Sequence, residues 1–292
     1  MTRLRLATVA TLVLAGVGHA TAADMAVKAP PQVLPSWSWT GVYVGGNAGY
    51  AWETSTSSTS GSPGVFDPLP GSGADLLASA LASATPALSV ASAGFIGGAQ
   101  IGYNHQTGRF VAGIEADIDG TALRKTAVTS TLVGVPTLPT NSVSATATAT
   151  NRLDYLATLR GRFGYTPVDR WLLYVTGGLA VGGVHSSITG TDLVLGPSFG
   201  ITTTLATNAA SSQARAGWTV GGGTEYALSS HWSLKAEALY YDLGRTNLNT
   251  TPASIETIAG GTGIGSVFAS ANRVFSTRWA GALARVGVNY RF

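Results

Sequence analysis

The chain has 292 residues, of which only 11% are charged; 38 are Gly, none is Cys, and the formal net charge is +3. An ordinary soluble domain carries roughly 25% charged residues, so this composition points to a membrane. The absence of Cys excludes disulfide frameworks, thiolate metal sites and Cys nucleophiles, and the small net charge gives no footing for nucleic acid.

Arg3 and Arg5, the apolar stretch 6–18 and the small-x-small triplet Ala20-Thr21-Ala22 read as a secretory signal peptide over residues 1–22. Cleavage there removes two of the 17 basic residues against 14 acidic ones, so the mature chain is close to neutral. Residues 23–38 carry Pro30, Pro31 and Pro35 and are expected to form an extended periplasmic linker. Beyond the leader no run of about 18 apolar residues occurs, so helical spans are not supported. A chain that crosses lipid without helices must close into a barrel, because lipid offers no partners for backbone polar groups.

Residues 39–292 read as that barrel. Eight strand-like segments follow one another: 39–52, 93–105, 108–120, 152–166, 171–184, 214–228, 231–244 and 277–292. Each exceeds the roughly 9–11 residues a tilted spanning strand needs. The connections alternate in length. Residues 53–92, 121–151, 185–213 and 245–276 are long, whereas 106–107, 167–170 and 229–230 are turns. Strict alternation predicts an all-β, eight-stranded antiparallel up-and-down transmembrane β-barrel, with both termini on the short-turn, periplasmic side. Two stretches in the long connections show local patterns. Residues 75–81 carry an N-cap Asp75 before a helix-period apolar set, and 144–150 alternate Ser/Thr with Ala, so they extend the fourth strand.

Period two separates the faces. In the last strand Ala280, Ala282, Ala284, Val286, Val288, Tyr290 and Phe292 form an apolar set, while Trp279, Leu283, Arg285, Asn289 and Arg291 share the other parity. The same split assigns Phe95, Ile101, Ile114, Ile118, Leu153, Leu159, Leu179, Val220 and Leu234 to a lipid face. Aromatics sort by height on that face. Tyr103, Phe110, Phe163, Tyr165, Trp171, Tyr226, Trp232, Tyr290 and Phe292 lie at the turn rim; Tyr50, Trp52, Phe95, Tyr155, Trp218 and Tyr240 lie at the loop rim. Two girdles around an aliphatic belt are expected of a bacterial barrel. The opposite parity forms the lumen. It carries Glu115, Asp117, Arg160, Arg162, Glu225, Lys235, Glu237 and Arg285, with Tyr43, Asn47, Gln100, Tyr174 and Thr219. An eight-stranded barrel is just wide enough for side chains to fill it, so these charges are expected to pair into a structural plug with no stable conductance.

Chemistry-bearing patterns are sparse. His105 and His231 fall at the turns, whereas His185 and Ser187 share a face at the loop end of the fifth strand, loosely like small barrel lipid deacylases. Asp192 cannot be placed as an orienting acid for that pair. The Gly-rich runs lack the Lys-Ser/Thr of a phosphate loop, and no spacing of metal ligands stands out. No cofactor, metal site or enzymatic activity is therefore expected.

The motifs SWTGVYVGGNAGY (38–50), GGAQIGYN (97–104), LRGRFGY (159–165) and RVGVNYRF (285–292) resemble those of the porin-family small outer-membrane barrels of Gram-negative bacteria, the opacity-type and outer-membrane-protein-A-like group. Within it, the chain is similar to the immunogenic surface barrels. The resemblance covers the strands and not the loops. It implies an integral envelope protein with a structural, envelope-integrity and surface-interaction role, surrounded by outer-membrane lipid and lipopolysaccharide, and meeting extracellular partners through its loops. It also implies insertion by the barrel-assembly machinery, which reads the terminal strand through Val286, Val288, Tyr290 and Phe292. A narrow porin for small solutes and an outer-membrane lipid-modifying enzyme stay open as alternatives.

Overall fold

The computed structural model describes residues 37–53, 57–66, 88, 91–135, 138–196, 201–250, 254–258 and 266–292, which belong to one compact unit, Trp37–Phe292. The expected signal peptide, most of the linker and the expected helix at 75–81 lie outside the described residues. Among the described residues there are ten strands: β1 (Gly41–Glu53), β2 (Ser57–Phe66), β3 (Ala93–Thr107), β4 (Phe110–Val135), β5 (Leu138–Val168), β6 (Trp171–Gly196), β7 (Ile201–Ala227), β8 (Trp232–Asn249), β9 (Ser254–Ile258) and β10 (Ser266–Arg291).

Eight of them close a ring of antiparallel neighbours in the order β1, β3, β4, β5, β6, β7, β8, β10 and back to β1. The closing pair runs from Tyr43↔Arg291 to Glu53↔Gly281. The first turn is Gly108-Arg109, two residues later than the expected 106–107, because Gly108 supplies the left-handed φ of +60° that a tight turn needs. The ring is tightly curved, and inward glycines let it close. A Cβ at Gly98 would run into the Ile118 carbonyl of the neighbouring strand, and one at Gly102 would meet the Tyr43 ring that lies over it.

The strands are much longer than the segments expected from sequence. The stretch 121–151, expected to be a long loop, is the upper part of the β4–β5 hairpin, and 185–213 is likewise the upper part of β6–β7. The alternation at 144–150 does extend β5, and Ala145, Ala147 and Ala149 all point inward and are buried. From Tyr155 back to Leu138, β5 climbs on the order of 40 Å if a tilt of about 40° persists.

Above the ring the sheet divides. Pairing of β7 with β8 stops at Trp218↔Asp242, and pairing of β3 with β4 stops at Ile96↔Thr121. A four-stranded sheet of β4 to β7 then faces a second sheet of β8, β10 and β2, with β9 also on β10. Register slips mark this height: Gly120/Leu123 opposite Leu153/Tyr155, and Arg278/Ala280 opposite β8, where Gly244 has φ +80°. A slip of one residue exchanges the faces of a strand. Two expected lipid-face positions are corrected. Leu153 is 1% exposed and points inward because β5 exchanges its faces, while Asp154 and Tyr155 both lie outside; Ala280 is 2% exposed at the slip against β8, although β10 itself keeps Trp279 and Leu283 inward. Below the slips the expected outer face holds: Ile114, Leu159, Val175, Leu179 and Val286 are all well exposed.

Candidate functional site

The interior of the ring is filled in layers. Lowest, beside the short turns, Trp39 packs with Val111, Leu172, Tyr174 and Ala227, and Trp37 lies against them. The Trp39 indole donates to the Asp169 carbonyl at 3.0 Å, and its backbone N–H donates to Gln106 Oε1 at 2.7 Å. Trp37 meets Trp39 edge-on at 5.3 Å and carries the Arg291 guanidinium 3.9 Å above its ring. The segment before β1 thus turns in under the barrel and covers its mouth, a role that period-two reading of 39–52 as strand does not reveal.

Above this lid lies the ion network. All eight charges expected in the lumen meet there. Arg160 is the hub: its Nη2 donates to Glu115 Oε1 (2.5 Å) and Asp117 Oδ2 (2.7 Å), its Nη1 to Glu237 Oε2 (3.3 Å), and its Nε to Thr158 Oγ1 (2.9 Å). Arg285 donates to Glu237 (2.6 Å), Asp117 (2.9 Å) and Asp119. Lys235 Nζ bridges Glu115 (2.9 Å) and Glu237 (3.3 Å). Arg162 donates to Glu225 (2.8 Å) and to Tyr43 Oη (2.9 Å), and its guanidinium sits 4.1 Å from the Tyr174 ring centre.

Neutral groups add further hydrogen bonds. Tyr43 donates to Glu115 (2.7 Å), Tyr174 to Glu237 (2.9 Å), and Ser233 and Asn289 to Glu225 (2.6 and 2.8 Å). Gln100 donates to Asn289 at 2.5 Å and accepts from Asn47 at 3.3 Å. Each buried ion has an opposite partner, which offsets its desolvation, while among the described residues Asp117 Oδ1 and Arg162 Nε have no hydrogen-bond partner. Asp119, Thr158, Ser233 and Asn289 belong to the network without having been singled out from sequence. Asp119 was legible, since it shares parity with Glu115 and Asp117.

Over the ions lies an apolar layer built from Ile96, Leu123, Leu153, Leu156, Leu239, Leu243, Trp279 and Leu283, with Tyr241 among them. Higher still, Ala147, Ala149, Ile188, Leu248, Phe275 and Leu88 form a second apolar core between the two upper sheets. An ion pair, Arg273 Nη2 to Asp192 Oδ1 at 2.9 Å, joins β10 to β6 inside this region. Burial pushes the Asp192 carboxyl up from its ordinary pKa, and Arg273 opposes that.

The His185, Ser187 and Asp192 grouping is not assembled. His185 faces outward, opposite Arg152 and Ser212 in register, and no hydrogen bond joins it to Ser187 among the described residues. Asp192 points the other way, into the upper core. The lumen carboxylates are engaged by Arg and Lys, and among the described residues no group of three or more His, Asp or Glu is placed to hold a metal ion.

A closed antiparallel ring of eight strands, apolar outside between two aromatic girdles and polar within, defines a small transmembrane β-barrel. The chain belongs to the outer membrane protein beta-barrel domain family, whose description matches residues 10–261. It is 34% identical over 284 residues to the 31 kDa outer-membrane immunogenic protein of Brucella melitensis biotype 1, covering 94% of this chain and 93% of that protein, and equally to its counterpart in Brucella suis biovar 1. Among solved structures it is similar to Neisserial surface protein A (13% identity, 87% of this chain and 98% of that one, TM-score 0.34). It is also similar to Ail, the attachment invasion locus protein of Yersinia pestis (11%, 84% and 99%, TM-score 0.24). The protein is an integral outer-membrane β-barrel and a homologue of immunogenic surface proteins.

Proposed function

We propose that the protein is a non-conducting, non-catalytic barrel that braces the outer membrane and carries an extended strand-built platform to the cell surface. One observation carries this reading: side chains close the interior at successive heights, first at the Trp39 lid, then in the ion network, then in the Leu-rich layer. A narrow pore needs a continuous polar path, and an apolar layer above the ions opposes one. The relatives' description as immunogenic outer-membrane proteins supports exposure of the upper sheets, and their contacts with extracellular partners follow from that exposure. In this reading the short turns and both termini face the periplasm.

A deletion strain tests it. Raised sensitivity to detergent with unchanged uptake of small solutes is the expected phenotype. Full detergent resistance with lost solute uptake would instead favour the pore.

We assign Val286, Val288, Tyr290 and Phe292 to recognition by the barrel-assembly machinery. The four side chains lie on the outer face of the closing strand, and Phe292 packs edge-on against Tyr290 at 5.2 Å. Deleting Phe292 is expected to lower the heat-modifiable, assembled fraction seen on gels; undiminished assembly contradicts the role.

A further inference from the structure

Just above the outer aromatic girdle, the outer wall carries arginines in an arrangement that strand pairing alone does not favour. Arg124 on β4 stands directly opposite Arg152 on β5, and Arg152 stands opposite His185 on β6. On the other side of the ring Arg245 on β8 stands directly opposite Arg278 on β10. All four arginines are exposed, and like charges facing each other across a ladder destabilise it.

Carboxylates only partly offset them. Asp154 pairs with Arg152 at 2.5 Å, and Asp242 with Arg278 at 2.5 Å. Among the described residues no carboxylate lies at ion-pair distance from Arg124 or Arg245, and the one carboxylate that feels Arg245, Asp242, is already paired with Arg278. Between the two groups, Arg215 is engaged elsewhere. It donates to the Leu243 and Arg245 carbonyls where β7 and β8 part company.

Height identifies the missing counter-charge. Arg152 lies three positions above Tyr155 on β5, and Arg278 lies on β10 beyond Ala282, which pairs with both Trp52 and Tyr240. Those aromatics mark the boundary of the hydrocarbon, and the next several ångströms outward hold the phosphorylated headgroups of the surrounding leaflet. Guanidinium groups bind phosphate oxygens in pairs, and two arginines facing each other offer a cradle for one phosphate.

We infer that Arg124–Arg152 and Arg245–Arg278 form two binding sites for the phosphate groups of outer-leaflet lipid, one on each side of the barrel. This rests on the bracing role proposed above and gives it a chemical basis, since lipid held at two points ties the barrel to its leaflet.

The test uses the full-length protein folded in detergent, with binding measured to lipopolysaccharide in its phosphorylated and enzymatically dephosphorylated forms. A cation near an anionic headgroup surface contributes about fivefold in affinity, so the Arg124→Gln/Arg245→Gln variant, which removes one cation from each site, is expected to bind phosphorylated lipid about fivefold more weakly at each. Unaltered protein should prefer the phosphorylated form by a similar factor and lose that preference at high salt. Equal affinity of unaltered protein for the two forms overturns the sites without any variant having to fold. So does a folded double variant that binds as tightly as its parent. Displacement of the lipid by millimolar inorganic phosphate would assign the arginines to a free anion and overturn the lipid sites too. None of these failures alters the detergent phenotype of the deletion strain, which stands or falls separately.

Discussion

The same strands behave in opposite ways at two heights. Within the girdles, the outside of the ring is Ile, Leu, Val and aromatic, and the inside holds Arg160, Arg285, Lys235 and their carboxylates. Above the girdles, β5 turns Ala145, Ala147 and Ala149 inward and sets Ser and Thr on its other face. Lipid rewards an apolar exterior, so the polar groups must be satisfied among themselves inside. Water rewards the reverse, and the upper sheets pack like an ordinary soluble domain. The slips in β4, β5 and β8 fall at the height where one regime gives way to the other, and in β5 and β8 they exchange the faces.

The contrast is tested hardest at the hub of the ions. Arg160→Met leaves Glu115, Asp117 and Glu237 short of a cation, and breaking a buried pair costs about 3–5 kcal/mol. Urea unfolding in liposomes, followed by tryptophan fluorescence, should show a loss of that size; an unchanged midpoint would mean the ions contribute nothing to holding the barrel.

A paired substitution sharpens the lipid–water boundary. Leu179→Lys places a charge on the exposed outer face between the girdles and should cost about 2–4 kcal/mol in the same assay. Val128→Lys, equally exposed but on upper β4, should stay within about 0.5 kcal/mol. Equal costs at the two positions would remove the boundary.

The smallest effect concerns Asp192. Its folded pKa is raised by burial despite Arg273, so the folded state holds its proton more tightly than the unfolded chain does. Its contribution to stability therefore grows as pH falls through the raised value towards the ordinary carboxylate range, and shrinks as pH rises. Protection of the Ile188 and Leu248 amides, taken relative to the intrinsic base-catalysed exchange rate at each pH, should rise modestly on acidification over that window, and the trend should vanish in Asp192→Asn. A trend of the opposite sign contradicts the assignment.

Much of the ring was legible in the sequence. Alternation assigned the lipid face and placed all eight lumen charges, because lipid imposes a strict rule on every second residue. The upper sheets were less legible. Ser, Thr, Ala and Gly there resemble a loop in composition, although Thr is β-branched and suits a strand. Alternation of Ala with Thr is a weaker signal than alternation of Leu with Arg. Leu153 was misplaced because the slip beside it cannot be read from a period of two, and the Trp39 lid went unseen because a turn inward under the barrel leaves no periodic trace. Asp119 needed only consistent use of the parity that found Asp117.

A lumen shut by its own side chains gives ions no path through the barrel. Single-channel recording of the purified, folded protein in a planar bilayer addresses it directly. The trace should be flat, with no stable conductance steps across the voltage range the bilayer tolerates. Reproducible, porin-sized openings that scale with protein inserted would contradict it.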